Sequence, residues 1–115
     1  MTVTIYHHPR CSKSRQTLAL LEAKGVAPRI VDYLKTPPSA AELKTILNKL
    51  GIGPQDLVRK SEPRYAELGL EDRKVDNDAL IALMIANPIL IERPIVVNGA
   101  KAAIGRPPEK VLEIL

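Results

Sequence analysis

Cys11, the one cysteine of the chain, lies among basic residues. Arg10 precedes it, and Lys13 and Arg15 follow it closely. A cysteine attacks other atoms through its thiolate, and nearby positive charge favours the thiolate over the thiol. A cysteine that only fills an apolar core would not usually lie between two cations. We therefore interpret Cys11 as a reactive thiol, and the same basic residues would attract an anionic substrate.

The secondary structure predicted around Cys11 favours the same interpretation. Residues 2–6 alternate as in a short strand, and Pro9 ends it. Helix-forming residues then run from about Ser12 to Lys24, with Gly25 as a C-cap. Cys11 thus precedes a helix, where unpaired N–H groups and the helix dipole lower the pKa of a thiol.

The residues after the thiol read Ser12-Lys13-Ser14, so a serine stands where a C-x-x-C motif has its second cysteine. With one cysteine the chain forms no internal disulfide, and an external thiol must reduce oxidised Cys11. The N-terminal residues also lack the charged and apolar sections of a signal peptide. We expect a reducing, cytoplasmic location.

Two histidines, His7 and His8, directly precede the loop that carries Cys11. An imidazole at this place can hydrogen-bond to groups near the thiol and tune it. Adjacent residues at the end of a strand point to opposite faces, and the chain has no further histidine or cysteine to complete a tetrahedral zinc site. We therefore predict no metal site.

Arg93 and Arg106 each precede a proline, and they flank the clearest hairpin signal in the chain. That signal is the apolar run 95–97, the turn pair Asn98-Gly99 and the run 101–104. A proline that enters a strand, as Pro94 does, can follow a cis bond and hold the preceding backbone near the thiol. Spacing alone does not bring these arginines together with each other or with Arg59.

The other elements complete a fold prediction. A strand over 29–34 would run parallel to the first. Ser39 and Glu42 form a capping box for one helix, and Asp76 or Asn77 caps another that ends near Ala86. Short helices lie between them, and Pro107-Pro108 can open a last helix. The order predicts an α/β, thioredoxin-like fold: a single domain over 1–115, whose mixed four-stranded sheet (βαβ, then ββα) is flanked by helices, with a helical insertion at about 39–87.

Composition excludes several classes of function. The net charge of +4 is modest, and the basic residues are scattered among acidic ones. The chain has three Tyr but no Phe or Trp. Proteins that bind single-stranded nucleic acids usually stack bases on aromatic rings, so we expect no nucleic-acid partner. No apolar run approaches the roughly 20 residues that cross a bilayer, so we expect no membrane association.

Several segments together resemble the arsenate reductases that work with glutaredoxin. They are HHPRCSKSR at 7–15, LVRK at 57–60, ERPIVV at 92–97 and IGRPPE at 104–109. Tyr-His before the loop, YLKTPP at 33–38, ELGL at 67–70 and the closing VLEIL also fit, so the resemblance runs nearly end to end.

The resemblance implies that Cys11 attacks the arsenic of arsenate while Arg59, Arg93 and Arg106 hold the oxyanion. Arg15, Ser12, Lys13, Ser14 and Pro94 would shape the substrate site and the thiol environment, and His7 would tune the thiol. Glutathione would be the co-substrate and glutaredoxin the partner, with no bound cofactor. Guanidinium groups suit this role because they keep their charge and bind tetrahedral oxyanions through paired hydrogen bonds.

The loop sequence Ser-Lys-Ser-Arg differs from the Gly-Thr-Ser-Arg more frequent in dedicated arsenate reductases. The chain is therefore similar to a related branch of the family, and Lys13 could either tighten anion binding or select a similar oxyanion other than arsenate. Two alternatives remain open. One is a regulator of the Spx type, which binds RNA polymerase and usually switches through C-x-x-C. The other is a monothiol, glutathione-dependent reductase that acts on another substrate.

Overall fold

The computed structural model describes residues 2–115, whose contacts divide them into two compact units. One unit contains the residues up to Thr36 together with Arg93–Leu115, and the other contains Pro37–Glu92. The assignment of 1–115 to a single domain with an insertion stays a prediction. No helix within residues 2–115 is long and apolar enough to span a membrane.

The first unit contains a mixed sheet, which within residues 2–115 has four strands in the order β2-β1-β3-β4. The strands are β1 (Val3–His7), β2 (Arg29–Asp32), β3 (Ile95–Asn98) and β4 (Lys101–Ile104). β1 pairs in parallel with β2 and antiparallel with β3, and β3 pairs antiparallel with β4. The predicted parallel pair, the hairpin and the mixed sheet are confirmed.

β1 is the central element of this unit because alternate residues are buried along its length. Val3, Ile5 and His7 lie on the buried face. His7 is opposite Asp32 of β2 in the parallel register. β2 is shorter than the predicted 29–34, because the chain turns at Asp32, whose carbonyl accepts the backbone N–H groups of Lys35 and Thr36 over 3.0 and 2.9 Å.

Helix α1 (Ser12–Ala23) connects β1 to β2 and begins directly after Cys11. It buries Ser14, Thr17 and Leu21 at helical spacing, so much of its buried face is small and polar. The helix ends at Ala23 with Lys24 as its C-cap, one residue before the predicted C-cap Gly25, which has a φ of 78°. The apolar core of the unit joins this helix to the sheet and to the C-terminal segment, through Val3, Ile5, Leu21, Val96 and Val111.

The last element is a 3-10 helix, Pro108–Ile114, which begins within the predicted pair Pro107-Pro108, with Pro107 as its N-cap. Its hydrogen bonds connect residues three apart, from the Lys110 N–H to the Pro107 carbonyl over 3.1 Å and from Leu115 to Leu112 over 3.4 Å. Val111 is its fully buried apolar side chain.

The second unit is helical. It contains α2 (Ala40–Leu50), a 3-10 helix (Pro54–Asp56), α3 (Pro63–Glu67), α4 (Asn77–Ala86) and a second 3-10 helix (Pro88–Leu90). Ser39 and Glu42 form the predicted capping box of α2. Asp76 caps α4, where its side chain accepts the backbone N–H of Ala79 over 2.8 Å. An isolated antiparallel bridge joins Val58 to Ile91.

Candidate active site

Cys11 lies at the junction of β1 and α1, in the N-cap position of the helix, with an extended backbone. Its N–H donates to the carbonyl oxygen of His8 over 3.0 Å, and its own carbonyl accepts the N–H of Arg15 over 3.0 Å. The residue is partly exposed. The sulfur is therefore held at the positive end of the helix dipole and stays accessible to a reactant.

Two arginines that flank the hairpin of β3 and β4 meet at this sulfur. Arg106 donates a hydrogen bond from Nη2 to Sγ of Cys11 over 3.4 Å, and from Nε to the carbonyl oxygen of Arg93 over 2.8 Å. The bonds from Arg93 to Pro94 and from Arg106 to Pro107 are both cis. The structure thus brings together Cys11, Arg93 and Arg106, three residues that the sequence analysis singled out.

These surroundings set the pKa of the thiol. Burial raises the pKa of Cys11, but the backbone N–H of Ser14 and the side chain of Arg93 lower it by offering hydrogen bonds to the thiolate. The positive charges of Arg106 and Arg93 lower it further. The net result is a pKa below the ordinary cysteine value, so at neutral pH the thiolate is more populated than in an unperturbed cysteine.

Ser14, in the first turn of α1, connects this helix to the end of β1. The residue is fully buried. Its Oγ lies 2.6 Å from Nδ1 of His7 and accepts the backbone N–H of His8 over 3.0 Å. One hydroxyl therefore fixes both histidines relative to the loop that carries Cys11.

Both histidines are buried, and burial is the main cause that lowers the pKa of each imidazole. Asp32 raises both pKa values in part, whereas the charge of Arg15 lowers that of His7 and the charge of Arg93 lowers that of His8. The net direction is downward for both pKa values, so the neutral imidazole is the major form of each ring at neutral pH. His8 also accepts the backbone N–H of Arg10 at Nδ1 over 3.2 Å.

The remaining residues of the predicted site in the first unit differ in exposure. Ser12, Lys13 and Arg15 are exposed, whereas Pro94 is fully buried. Arg15 donates from Nη1 to the carbonyl oxygen of Pro9 over 3.1 Å, which holds its side chain along the loop.

Arg59 belongs to the second unit. There its Nε lies 3.3 Å from Oε1 of Glu62, and its Nη1 pairs with Oε1 of Glu92. All three side chains are mostly buried. The role that the resemblance gives to Arg59 stays a prediction.

Two residues next to predicted site residues were not predicted from the sequence: Asp32, opposite His7, and Gly105, beside Pro94. Asp32 has an Oδ1 that is buried and accepts no hydrogen bond from any residue in 2–115. The predicted parallel pairing of the first two strands could have indicated Asp32, because the register of that pair places Asp32 opposite His7. Gly105 is the other: a Cβ there would lie 2.5 Å from Oγ1 of Thr17 and 2.8 Å from Cγ of Pro94.

The described residues also bear on metal binding. The His, Cys, Asp and Glu side chains within 2–115 form no group of three or more that could hold a metal ion. The side chains that reach the sulfur are guanidinium groups, which are donors only and attract anions.

Comparison with known proteins gives close relatives over almost the whole chain. Residues 6–114 match the profile of the ArsC family. The uncharacterized protein YfgD of Escherichia coli K12 is 54% identical over 98% of this chain and 96% of its own length. An arsenate reductase of Neisseria meningitidis serogroup A is 48% identical over 98% of this chain and 97% of its own length.

Solved structures agree with the sequence comparison. The structure of an arsenate reductase from Vibrio cholerae is 53% identical and superposes with a TM-score of 0.96, covering 100% of this chain and 98% of that one. Neighbours of this kind have the thioredoxin-like fold that the element order predicted. Cys11, Arg93 and Arg106 all lie inside the matched residues.

Proposed function

The chain belongs to the ArsC family, and we propose that it reduces arsenate to arsenite with the Cys11 thiolate as the nucleophile. The observation that carries this proposal is the hydrogen bond from Arg106 to the Cys11 sulfur, which joins an activated thiol to an anion-binding group. Relatives named arsenate reductase at 44–50% identity support the choice of substrate. Arsenate reductases of this family need no metal cofactor.

The first step forms a bond between the Cys11 sulfur and arsenic. The thiolate supplies the electron pair, and one arsenate oxygen takes up protons and leaves as water. Glutathione then adds to the arsenic through its thiol and a second water leaves, so that arsenic(V) carries both sulfurs.

The second step reduces the arsenic. A glutaredoxin thiolate attacks the glutathione sulfur, a mixed disulfide forms, and the electron pair of the As–S bond stays on arsenic, which becomes arsenic(III). Water then releases arsenite and returns Cys11 as the thiolate. The single cysteine supports this order, because the chain has no second thiol to complete the cycle.

Arg93 and Arg106 have two functions in this reaction. Before the substrate binds, they favour the thiolate. When the oxyanion arrives, their planar donors stabilise the negative charge on its oxygens without losing their own. Arg15, exposed beside the loop, and Lys13 are further cations that would draw an anion towards the thiol.

His7 in this account tunes the thiol and does not transfer a proton. It is buried and its pKa is lowered, so the neutral imidazole is its major form at neutral pH, which disfavours a role as an imidazolium acid. Arg59 is assigned to the oxyanion by the resemblance, and replacing it with Lys, which keeps the charge but not the planar fork, tests that assignment through the KM for arsenate.

Because the cycle depends on external thiols, we propose that the protein works in the reducing environment of the cytoplasm. The test is NADPH oxidation by purified protein with arsenate, glutathione, glutaredoxin and glutathione reductase, each component being omitted in turn. We expect turnover only in the complete mixture, and none when Cys11 is replaced by Ser.

Two other outcomes would favour the alternatives. Turnover of a glutathionylated protein without any arsenate-dependent rate would indicate a monothiol reductase. Tight binding to RNA polymerase with neither activity would indicate a regulator of the Spx type. Either result would contradict the proposal.

A further inference from the structure

Ser14 stands where a dithiol motif would have its second cysteine, yet it is a fully buried part of the fold. A serine hydroxyl has one proton to donate and two lone pairs that accept. The partners of this hydroxyl therefore determine which way its proton points, and a proton without an acceptor in a buried place is unfavourable.

The partners within residues 2–115 are the backbone N–H of His8 and Nδ1 of His7. The N–H of His8 is a donor only, so it occupies one lone pair of the serine oxygen. If Nδ1 of His7 also carried a proton, the oxygen would accept twice and its own proton would have no acceptor. The hydroxyl therefore donates to Nδ1, and the ring proton lies on Nε2.

We infer that Ser14 is a positioning residue that holds His7 as the neutral tautomer protonated on Nε2. The 2.6 Å separation of Nδ1 and Oγ fits a hydrogen bond from a hydroxyl. The inference rests on the proposed function only for the identity of Cys11 as the nucleophile, since the tautomer itself does not depend on any substrate.

Ser14 also lowers the pKa of the Cys11 thiol through its backbone N–H. The N–H of Ser14 offers a hydrogen bond to the Cys11 thiolate, while its side chain holds the end of β1 through two histidines. The charged groups that face His7 are Asp32 and Arg15. Loss of the Ser14 hydroxyl would therefore alter the tautomer of His7 directly. It would alter the pKa of the Cys11 thiol indirectly, by shifting the backbone of the first turn of α1.

The direct test is NMR of protein labelled with ¹⁵N in its histidines, at a pH slightly above neutral. In the wild type we expect His7 to have a protonated Nε2 and an unprotonated Nδ1. A wild-type His7 that is protonated on Nδ1, or on both nitrogens, would overturn the inference without the need for any variant.

Variants separate the hydroxyl from general packing. Ser14→Ala removes the donor, and we expect a mixture of tautomers or a shift to protonated Nδ1, whereas Ser14→Thr keeps a hydroxyl and should restore the wild-type spectrum. Thr17→Val is the matched control, because Thr17 is fully buried on the same helix and donates to the carbonyl of Lys13 instead. A pure wild-type tautomer in a folded Ser14→Ala protein would contradict the inference.

The reactivity of Cys11 gives a second readout. We expect the midpoint of its pH-dependent alkylation to rise in Ser14→Ala and to return towards the wild-type value in Ser14→Thr. An unchanged midpoint in Ser14→Ala would remove the proposed link from the hydroxyl to the thiol. If arsenate turnover is absent while the tautomer is as expected, the proposed function fails and the role of Ser14 stands.

Discussion

The guanidinium of Arg106 donates a hydrogen bond to the Cys11 sulfur, although the two residues are 95 positions apart in the chain. Nε of the same guanidinium is held by the carbonyl oxygen of Arg93. The donor is thus oriented before any substrate binds, which is the arrangement that stabilises developing charge without reorganisation. The thiol and the two arginines that we propose to hold the oxyanion therefore lie together.

Replacing Arg106 with Ala should raise the pKa of Cys11, because one hydrogen bond and one positive charge no longer favour the thiolate. Alkylation by iodoacetamide at neutral pH would then slow, and its pH profile would move upward. Arg29→Ala is the control, since Arg29 is an exposed arginine on β2 outside the site. Equal profiles for Arg106→Ala and wild type would contradict the assigned role.

The same substitution should lower kcat/KM for arsenate by about 10- to 100-fold. Hydrogen bonds to charged groups contribute about 1.5–3 kcal/mol, and each 1.4 kcal/mol is about tenfold in rate. Arg106→Lys should recover part of the loss, because it restores the charge but not the planar fork. Full activity of Arg106→Ala in steady-state kinetics would exclude Arg106 from the site.

Gly105→Ala should destabilise the first unit and disturb Arg106. The added Cβ would meet Thr17 and Pro94 at distances that real side chains do not adopt, and overpacking of this kind costs about 1–3 kcal/mol. Urea unfolding measures the cost. Gly53→Ala is the matched control, because nothing lies within 4 Å of the added atom. A loss of the same size in both variants would show that the contact at Gly105 is not the cause.

The free energy of unfolding should fall as the pH drops below about 6.5, the ordinary histidine value. His7 and His8 have lowered pKa values in the folded state, so the unfolded chain binds more protons in this range and is favoured by acid. Denaturant titrations at about pH 7.5 and about pH 5.5, on Cys11→Ser to exclude the thiol, measure this effect.

The contribution of one histidine can be isolated. His8→Asn keeps an acceptor near the position of Nδ1, to which the backbone N–H of Arg10 donates. Unlike histidine, asparagine does not titrate. The variant should lose less stability between the two pH values than its parent. An identical loss would show that His8 does not contribute to the pH dependence.

The sequence predicted the elements of the first unit well because their signals are local. The pair Asn98-Gly99 specifies a hairpin, and the thiol precedes a helix of strong helix formers. The capping box at Ser39 and Glu42 is likewise a short-range pattern, and the structure contains it.

The geometry of the site was less predictable, because it depends on register and packing between distant segments. No spacing rule places Arg106 on the sulfur of a residue near the N-terminus. Asp32 lies opposite His7 only through the strand register, and Gly105 matters only because Thr17 and Pro94 pack against it. The sequence shows that Ser14 stands in the place of a second cysteine. Its hydrogen bonds to the ring of His7 and the backbone of His8 depend on how the first turn of α1 packs against the end of β1.

The most direct test of the central claim is the amount of arsenite formed from arsenate, measured by chromatographic arsenic speciation in the presence of glutathione and glutaredoxin. Wild-type protein should form arsenite over many turnovers, and Cys11→Ser should form no more than the mixture without protein. Arsenite formation by Cys11→Ser at the wild-type rate, or its absence with the wild type, would contradict a mechanism in which the Cys11 thiolate attacks arsenate.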